Sequence, residues 1–361
     1  MFIWPLQATY LNSDAGRLLW GREMSRGGWR KLFQEMHTNG PPNTVLSIDW
    51  SQFDKRLLHQ LIQQVHCIWR SYFDFTIYEP TSEYPNAYTN PTHIDRLWRW
   101  MCNAITDTPI VLPNGHVWKW QYNGFGSGFQ QTQLMDTFAN AIMIYTCLSS
   151  LGVNIKAEEF WSRFQGDDSL ISFFERMFQL YGPSFLDKLS EAAAHYFNAR
   201  LNVKKSQILN SVSGASVLSY FNHNGLAYRT DEDLLRHLFF PERPQDWGRL
   251  AASALGMARA ALGCSTRFHN LCALIWRKLV INKEVKPKYA ALRWMIRSGW
   301  FEIIEQLDGT PFPTQLETMT ARWTIHTRTE NENERMWPTH TGPRGNFHFL
   351  LDVRHPVSDF F

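Results

Sequence analysis

The chain has 361 residues, 44% hydrophobic and 19% charged, with a formal net charge of +3. That balance excludes a disordered chain and supplies apolar surface for one large or two moderate domains, while the charge is too small to argue by itself for nucleic acid. Five cysteines without a Cys-x-x-Cys pair speak against a zinc site or disulfide framework and read as free thiols in a reducing compartment. Sixteen Trp and 25 Phe fit either an aromatic-packed core or an aromatic-rich nucleic-acid channel. The opening MFIWPLQATY lacks the basic region and long apolar run of a signal peptide, and no run of 18 apolar residues predicts a membrane-spanning helix.

In chain order, residues 1–40 predict helices over about 10–24 and 28–37, broken at Gly27-Gly28. Arg17, Arg22, Arg26, Arg30 and Lys31 make this piece basic, as a solvated helix face or a phosphate contact. TVLSIDW, 44–50, is a β-branched apolar run that reads as a buried strand ending in Asp49. A helix is expected from 53, with Phe53, Leu57, Leu58, Leu61, Ile62 and Val65 on one face and Asp54 near its start. Helix capping accounts for an acid at Asp54 but not for Asp49, an acid closing a strand that should be buried.

Residues 74–93 read as loop, 94–105 as helix, and VLPNGHVWKW, 111–120, as a hairpin around Pro113-Asn114-Gly115. Glycines 124, 126 and 128 form a loop that feeds a long helix from about 130 to 149. Unpaired N–H groups at such a helix start suit a phosphate or ribose. FQGDDSLISFF, 164–174, predicts a hairpin with Gly166-Asp167-Asp168 at its tip, and two neighbouring carboxylates there make a candidate metal site. A helix is expected at 184–200, then strands at 201–209, carrying Lys204 and Lys205, and at 217–221. After 230 the pattern is helical, and Arg277, Lys278, Lys283, Lys286, Lys288, Arg293 and Arg297 form either a solvated face or a groove for nucleic-acid backbone. From about 310 the chain reads as an irregular tail.

Three features therefore stand in a fixed order. A strand ends in Asp49, with Asp54 five residues on; a glycine-serine loop opens a helix carrying Ser127, Gly128, Thr132 and Asn140; a hairpin tip carries Asp167 and Asp168. Nucleotidyl transfer needs such a set, because two divalent ions about 3.5–4 Å apart clamp the attacking and leaving oxygens, and Mg²⁺ takes carboxylates, waters and substrate phosphates as ligands.

On these residues the chain resembles the palm of viral RNA-dependent RNA polymerases. SIDWSQFD is similar to their motif A, GFGSGFQQTQLMDTFAN to motif B, QGDDS to motif C, LNVKKS to motif D and VLSYFNHNGLAYR to motif E. Gly-Asp-Asp-Ser, Thr132-Gln133-Leu134 and Pro241-Glu242-Arg243 bring it nearest to the partitivirus-like polymerases of double-stranded RNA viruses. The resemblance covers about residues 1–265. It implies an α/β (α+β) right-hand fold: a residual fingers connection over 1–43, a palm over 44–229 with a fingers-like insertion at 75–123, a helical thumb over 230–310 and an irregular tail over 311–361. The palm would be an antiparallel sheet backed by helices.

What the resemblance implies for function is RNA-directed RNA synthesis with two Mg²⁺ or Mn²⁺ ions. Asp49 and Asp167 would be the principal metal ligands and Asp168 a supporting one. Asp54 would read the incoming ribose, Ser127 and Gly128 would touch the template base and ribose, and Thr132 and Asn140 would orient that network. Lys205, with Lys204 as substitute, would protonate pyrophosphate. Arg277, Lys278, Arg293 and Arg297 would face the product duplex. RNA template and product and nucleoside triphosphates are the implied partners, with the viral capsid as a further one. No membrane span is expected, and the implied location is the host cytoplasm, within the virion.

Two departures stand out. Polymerases of this kind commonly carry Asn four residues after the motif B Thr, where this chain has Asp136; either Asn140 serves, or Asp136 meets the ribose through a different network. FIWPLQATY resembles the segment just after the basic fingers residues that hold the triphosphate, which implies that most of the fingers is missing from this chain. A reverse transcriptase is a second reading, set back by Gly166 where those enzymes place an aromatic, and a non-catalytic RNA-binding chain is a third.

Overall fold

The computed structural model describes residues 2–12, 17–76, 90–241, 244, 246–292, 295, 300 and 311–325. Of these, the residues within Met1–Trp20 and Asn43–Asn210 form one compact unit, and those within Gly21–Pro42 and Ser211–Arg328 form a second.

The first unit is built on a four-stranded antiparallel sheet. Its strands are β1 (Thr44–Ile48), β4 (Trp161–Gln165), β5 (Asp168–Phe173) and β6 (Gln207–Leu209), in the order β4-β5-β1-β6. A separate two-stranded hairpin joins β2 (Ile110–Val111) to β3 (Val117–Trp118). The helices are α1 (Ile3–Asn12), α3 (Phe53–Arg56), α4 (His59–Ser71), α5 (Pro91–Asp107), α6 (Thr132–Ser150), α7 (Met177–Tyr181) and α8 (Ser184–Phe197). One continuous core joins Leu46, Ile48, Phe138, Ile144, Phe164, Ile171, Phe185 and Leu189. Helix α6 is apolar nearly all round because it packs against α4, α8 and β4 at once, the pattern of a buried central helix. Beside it, Phe2, Phe73, Phe75 and Trp98 form an aromatic cluster with ring centroids 5.2–6.2 Å apart.

Several sequence expectations change in physical detail. The first helix lies at Ile3–Asn12 rather than 10–24. The chain at Arg17–Leu19 instead runs along β4, with Leu19 N–H donating to Phe164 O at 2.9 Å and Phe164 N–H to Arg17 O at 2.9 Å. The helix expected from 53 breaks at Leu57-Leu58, whose extended backbone pairs with 122–124: Gly124 N–H donates to Leu57 O and His59 N–H to Tyr122 O. The strand expected over 201–209 is strand only at 207–209. Before it, Lys205 and Ser206 N–H groups both donate to Asn202 O, so Lys204 and Lys205 ride an exposed turn.

The second unit holds α2 (Gly28–Met36), a three-stranded meander of β7 (Ser216–Val217), β8 (Tyr220–His223) and β9 (Leu226–Tyr228), and the helices α9 (Asp231–Phe239), α10 (Trp247–Ala260) and α11 (Thr266–Trp276). Buried Gly248, Ala251, Ala252, Ala254, Gly256 and Ala258 give α10 a thin surface against which its neighbours pack. Trp29 anchors α2 to the meander, its indole N–H donating to Tyr220 O at 3.0 Å. The expected single strand 217–221 is a hairpin, turning at Leu218 and Ser219 with φ of 51° and 64°. Within the expected irregular tail, α12 (Gln315–Ala321) starts on a capping box in which Thr314 and Glu317 bond each other's backbone N–H. The Thr-x-x-Glu spacing was the signal for it.

Of the N-terminal arginines, Arg22 is buried, Arg17 and Arg26 are half-buried and Arg30 is exposed, and each has a partner in the protein. Arg17 reaches Ser162, Arg22 pairs with Glu35 at 3.0 Å, Arg26 lies over the Trp300 ring and Arg30 donates to Trp323 O.

A two-residue hairpin turn with positive φ at both positions favours Asn-Gly over Leu-Ser. Ser219→Gly is expected to raise stability by about 1 kcal/mol, since an L side chain in the left-handed region is strained; denaturant melting of the two proteins checks it.

Candidate active site

The sheet register brings the acids together. β1 pairs antiparallel with β5, from Thr44 opposite Phe173 to Ile48 opposite Ser169. One step beyond that last pair, Asp49 follows Ile48 and Asp168 precedes Ser169, so the two acids stand at the same end of the two adjacent central strands. The β4–β5 hairpin closes through Gly166-Asp167, with Gly166 at φ 59°, so Asp167 projects from the tip beside them.

Each acid stands on a fixed backbone. Asp49 N–H donates to Ser206 Oγ at 3.1 Å, Asn202 N–H donates to Asp49 O at 2.9 Å, and Trp50 bridges to Leu201. The chain then turns sharply at Gln52, which has φ 57°, and enters α3 with Asp54 in its first turn. Phe125 N–H donates to Asp54 O at 3.0 Å, and Asn123 Nδ2 to Lys55 O at 3.0 Å. That pairing carries the glycine loop alongside α3, and the Ser127 hydroxyl donates to Asp54 Oδ2.

The hairpin tip is held from below by α6. Asn140 is fully buried; its Nδ2 donates to Gly166 O at 3.0 Å and Asp168 O at 3.3 Å, and its Oδ1 accepts the Trp50 indole N–H at 2.8 Å. One turn earlier, the buried Thr137 hydroxyl accepts the Gly166 N–H at 2.8 Å and donates to Gln133 O at 2.6 Å. The Asn140 amide is thus bonded to the protein on both sides. It couples the turn after β1 to the β4–β5 tip. Thr137 and Trp50 were missed in the sequence because a Thr and a Trp inside an apolar run look like ordinary core. Thr132, also buried, donates to Gly126 O at 3.2 Å and so fixes the loop rather than facing out.

Charge accumulates here. Burial, reinforced by Asp167 and Asp49, pushes the Asp168 carboxyl up to about 6. Burial also raises Asp167, as do Asp49 and Asp54, against the lowering effect of its own backbone hydrogen bond and of Lys205. Lys205 is exposed on its turn, with Asp167 in its field. Partly desolvated carboxylates crowded at one edge are the donor set that hard divalent cations take. Among the described residues, no three His, Cys, Asp or Glu side chains converge as a ready metal cage.

Of the basic residues after 270, Arg277 and Lys278 are exposed at the start of a π-helical turn, Arg277–Ile281. Lys288 is paired with Asp246 at 2.7 Å, and Lys283 sits over the Trp247 ring. Arg293 and Arg297 lie outside the described residues, as do Glu242 and Arg243.

Asn140→Ala leaves two carbonyls and a buried indole N–H without their partner. It is expected to destabilise the protein by about 2–3 kcal/mol, measured by denaturant unfolding, with the loss of metal uptake exceeding what unfolding alone explains.

Comparison with known proteins agrees with this geometry. The family model described as viral RNA-dependent RNA polymerase matches residues 6–230. The chain is 30% identical over 354 residues to the RNA-directed RNA polymerase of White clover cryptic virus 1 (isolate Boccardo/2004), covering 94% of this chain and 56% of that protein. It is 26% identical over 352 residues to the RNA-directed RNA polymerase of Atkinsonella hypoxylon virus (isolate 2H), covering 88% and 52%. The chain spans about half the length of the curated relatives it matches. In fold it is similar to the crystal structure of the RNA-dependent RNA polymerase of a human picorbirnavirus, with a TM-score of 0.51 at 15% identity over 70% of this chain and 45% of that one. The insertion-loop deletion mutant of the same polymerase gives a TM-score of 0.51 at 14% identity over 81% and 52%. The chain belongs to the viral RNA-dependent RNA polymerase family.

Proposed function

We propose that this chain carries the catalytic centre of an RNA-directed RNA polymerase, its first unit serving as palm and the helices of the second as thumb. The observation that carries this is the register that brings Asp49 and Asp168 to the same end of adjacent strands, with Asp167 at the adjoining tip and Asp49 acting on both. Polymerases of this family use divalent metal ions, and the finer reading here is two Mg²⁺ or Mn²⁺ held by Asp49 and Asp167 with Asp168 in support. When bound, such ions neutralise the phosphates and activate the attacking 3′-hydroxyl.

The chain's own residues do the rest. Asp54, oriented by Ser127, faces the ribose of the incoming nucleotide. Gly128 is exposed, and a Cβ added there meets nothing within 4 Å, so the protein itself sets no requirement for glycine. An approaching template or nucleotide supplies one. Lys205 holds a proton beside Asp167, where a pyrophosphate leaving group needs one. Asn140 and Thr137 act by position, keeping the tip where the carboxylates can meet. RNA template, RNA product and nucleoside triphosphates are the substrates and partners of this reading. Among the described residues no helix is long and apolar enough to cross a membrane. Action in the host cytoplasm within the virion, against the capsid, belongs to the same proposal.

Primer extension on an RNA template tests it. Asp167→Ala and Asp49→Ala are each expected to lower incorporation by about 10²-fold or more and to weaken Mn²⁺ uptake measured by calorimetry. Incorporation that survives Asp167→Ala sinks the mechanism; RNA binding with no Mn²⁺ uptake by the unaltered chain favours a non-catalytic role.

The exposed pair Arg277 and Lys278 is proposed to meet RNA backbone without reading sequence. Replacing both with Ala is expected to reduce the salt slope of RNA affinity by roughly 1–2, at a similar cost for every sequence. Filter binding across a salt series measures it, and an unchanged slope means that this face is merely solvated.

A further inference from the structure

One helix ties down both ends of the glycine loop that precedes α6. At the start of the loop, His59 of α4 bonds Gly124 O through its Nε2 at 2.8 Å, and the His59 backbone N–H donates to Tyr122 O at 2.9 Å. A carbonyl oxygen only accepts, so the His59 imidazole carries a proton on Nε2. At the end of the loop, His66 Nε2 of the same helix donates to Gln131 Oε1 at 3.0 Å, and both residues are buried. Burial holds the His66 ring below its ordinary pKa, against the raising effect of Gln131, so it serves as a neutral donor. Gln7 of α1 adds a second tie at this end, its Nε2 donating to Gln130 O at 2.8 Å.

The two imidazoles stand on a common rule. Two turns of α4 separate them, which brings them to one face about 10.5 Å apart along the axis. Leu61, Ile62, Val65 and Trp69 fix that helix in the core, and the His66 ring meets Trp69 and Trp98 edge-on with centroids 5.6 and 6.2 Å away. Between the ties lie the exposed Ser127 and Gly128, and the Ser127 hydroxyl bonds Asp54. We propose that α4 is a splint for this loop: His59 and His66 are positioning residues that hold the ends of residues 124–131 at a fixed separation and so deliver Ser127 and Gly128 to Asp54. The splint stands on hydrogen bonds within the first unit; only its effect on nucleotide binding rests on the polymerase reading.

The test has two arms, and the first needs no activity. Removing one donor leaves a buried acceptor unpaired at one end and opens that end locally. Gly124 and Phe125 N–H groups, bonded to Leu57 O and Asp54 O, report on the first tie; Thr132 and Met135 N–H groups, bonded to Phe129 O and Gln131 O, report on the second. Amide hydrogen exchange is followed at these positions by NMR. His59→Leu is expected to speed exchange at Gly124 and Phe125 about tenfold and to leave Thr132 and Met135 unchanged. At position 66, Gln keeps a donor at the reach of the imidazole, whereas Asn carries the same amide one carbon shorter. His66→Asn is therefore expected to speed Thr132 and Met135 about tenfold, and His66→Gln to hold them. Exchange that His59→Leu leaves unchanged, or that is equal in His66→Asn and His66→Gln, overturns the proposal. Acceleration that spreads to the amides of β1 and β5 overturns it as well.

The second arm is primer extension on an RNA template. His59→Leu and His66→Asn are each expected to raise the nucleotide KM about tenfold while kcat changes less than about threefold, with His59→Gln and His66→Gln restoring KM. A merely structural loss shrinks the active fraction, lowering kcat at an unaltered KM, and that result overturns the positioning role. Should the unaltered chain incorporate nothing, the polymerase reading fails for this chain, and the exchange series still decides whether α4 splints the loop.

Discussion

The site depends on one buried amide. Asn140 sits wholly inside the first unit, and its side chain touches the turn after β1 through Trp50 and the β4–β5 tip through Gly166 and Asp168. Those are the two segments that carry Asp49 and the Gly-Asp-Asp acids. Strand register brings Asp49 and Asp168 to the same end of adjacent strands, but Asp167 lies beyond the last ladder pair, where backbone pairing no longer constrains it. Asn140 and Thr137 supply the missing constraint from a helix that is itself locked by α4, α8 and β4. A buried polar group without partners is costly, so an amide with every bond made specifies one arrangement of its neighbours and penalises the rest.

With the backbone fixed, the difficulty is electrostatic. Asp49, Asp54, Asp136, Asp167 and Asp168 act on one another across a small region of the first unit. Towards solvent, Lys205 lowers the Asp167 carboxyl against this crowding. Towards the core, burial is the largest cause that raises Asp136, followed by Asp54, whose carboxylate also accepts the Ser127 hydroxyl.

Much of this was legible in the sequence, and the rest fails for identifiable reasons. Strand β1, the Gly166 tip and α6 were plain because one side of each signal is strong: a β-branched run, a Gly turn between apolar runs, and a long apolar stretch after glycines. Asp49, Asp167 and Asp168 stood out because acids at the ends of buried strands are anomalous. The break at Leu57-Leu58 and the strand-like path of Arg17–Leu19 were not legible, since both come from pairing with segments far along the chain, 122–124 and Phe164. Leu218-Ser219 hid its turn because neither residue is the Gly or Asn that a positive φ favours. Asn140 was singled out, but spacing gives the face of a helix, not which neighbours its side chain bonds, here Trp50, Gly166 and Asp168. Of the aromatic surplus, Trp29, Trp50, Trp69, Trp98 and Trp276 are buried, which decides for a packed core at those positions.

Rigid and open parts of the site divide along the same lines as the chemistry. Asp168 stands on ladder backbone and Asp49 follows directly on β1, while α6 holds the tip that carries Asp167. Ser127 and Gly128 instead lie exposed on a loop that touches the core through Thr132 and through its pairing with α3. Gly124 shows what an internally required glycine looks like, with φ 84° and a Trp120 ring carbon 2.6 Å from any added Cβ. Gly128 has neither constraint. A glycine that nothing in the protein demands, next to the serine that bonds Asp54, leaves this stretch of the loop open where Gly124 is closed.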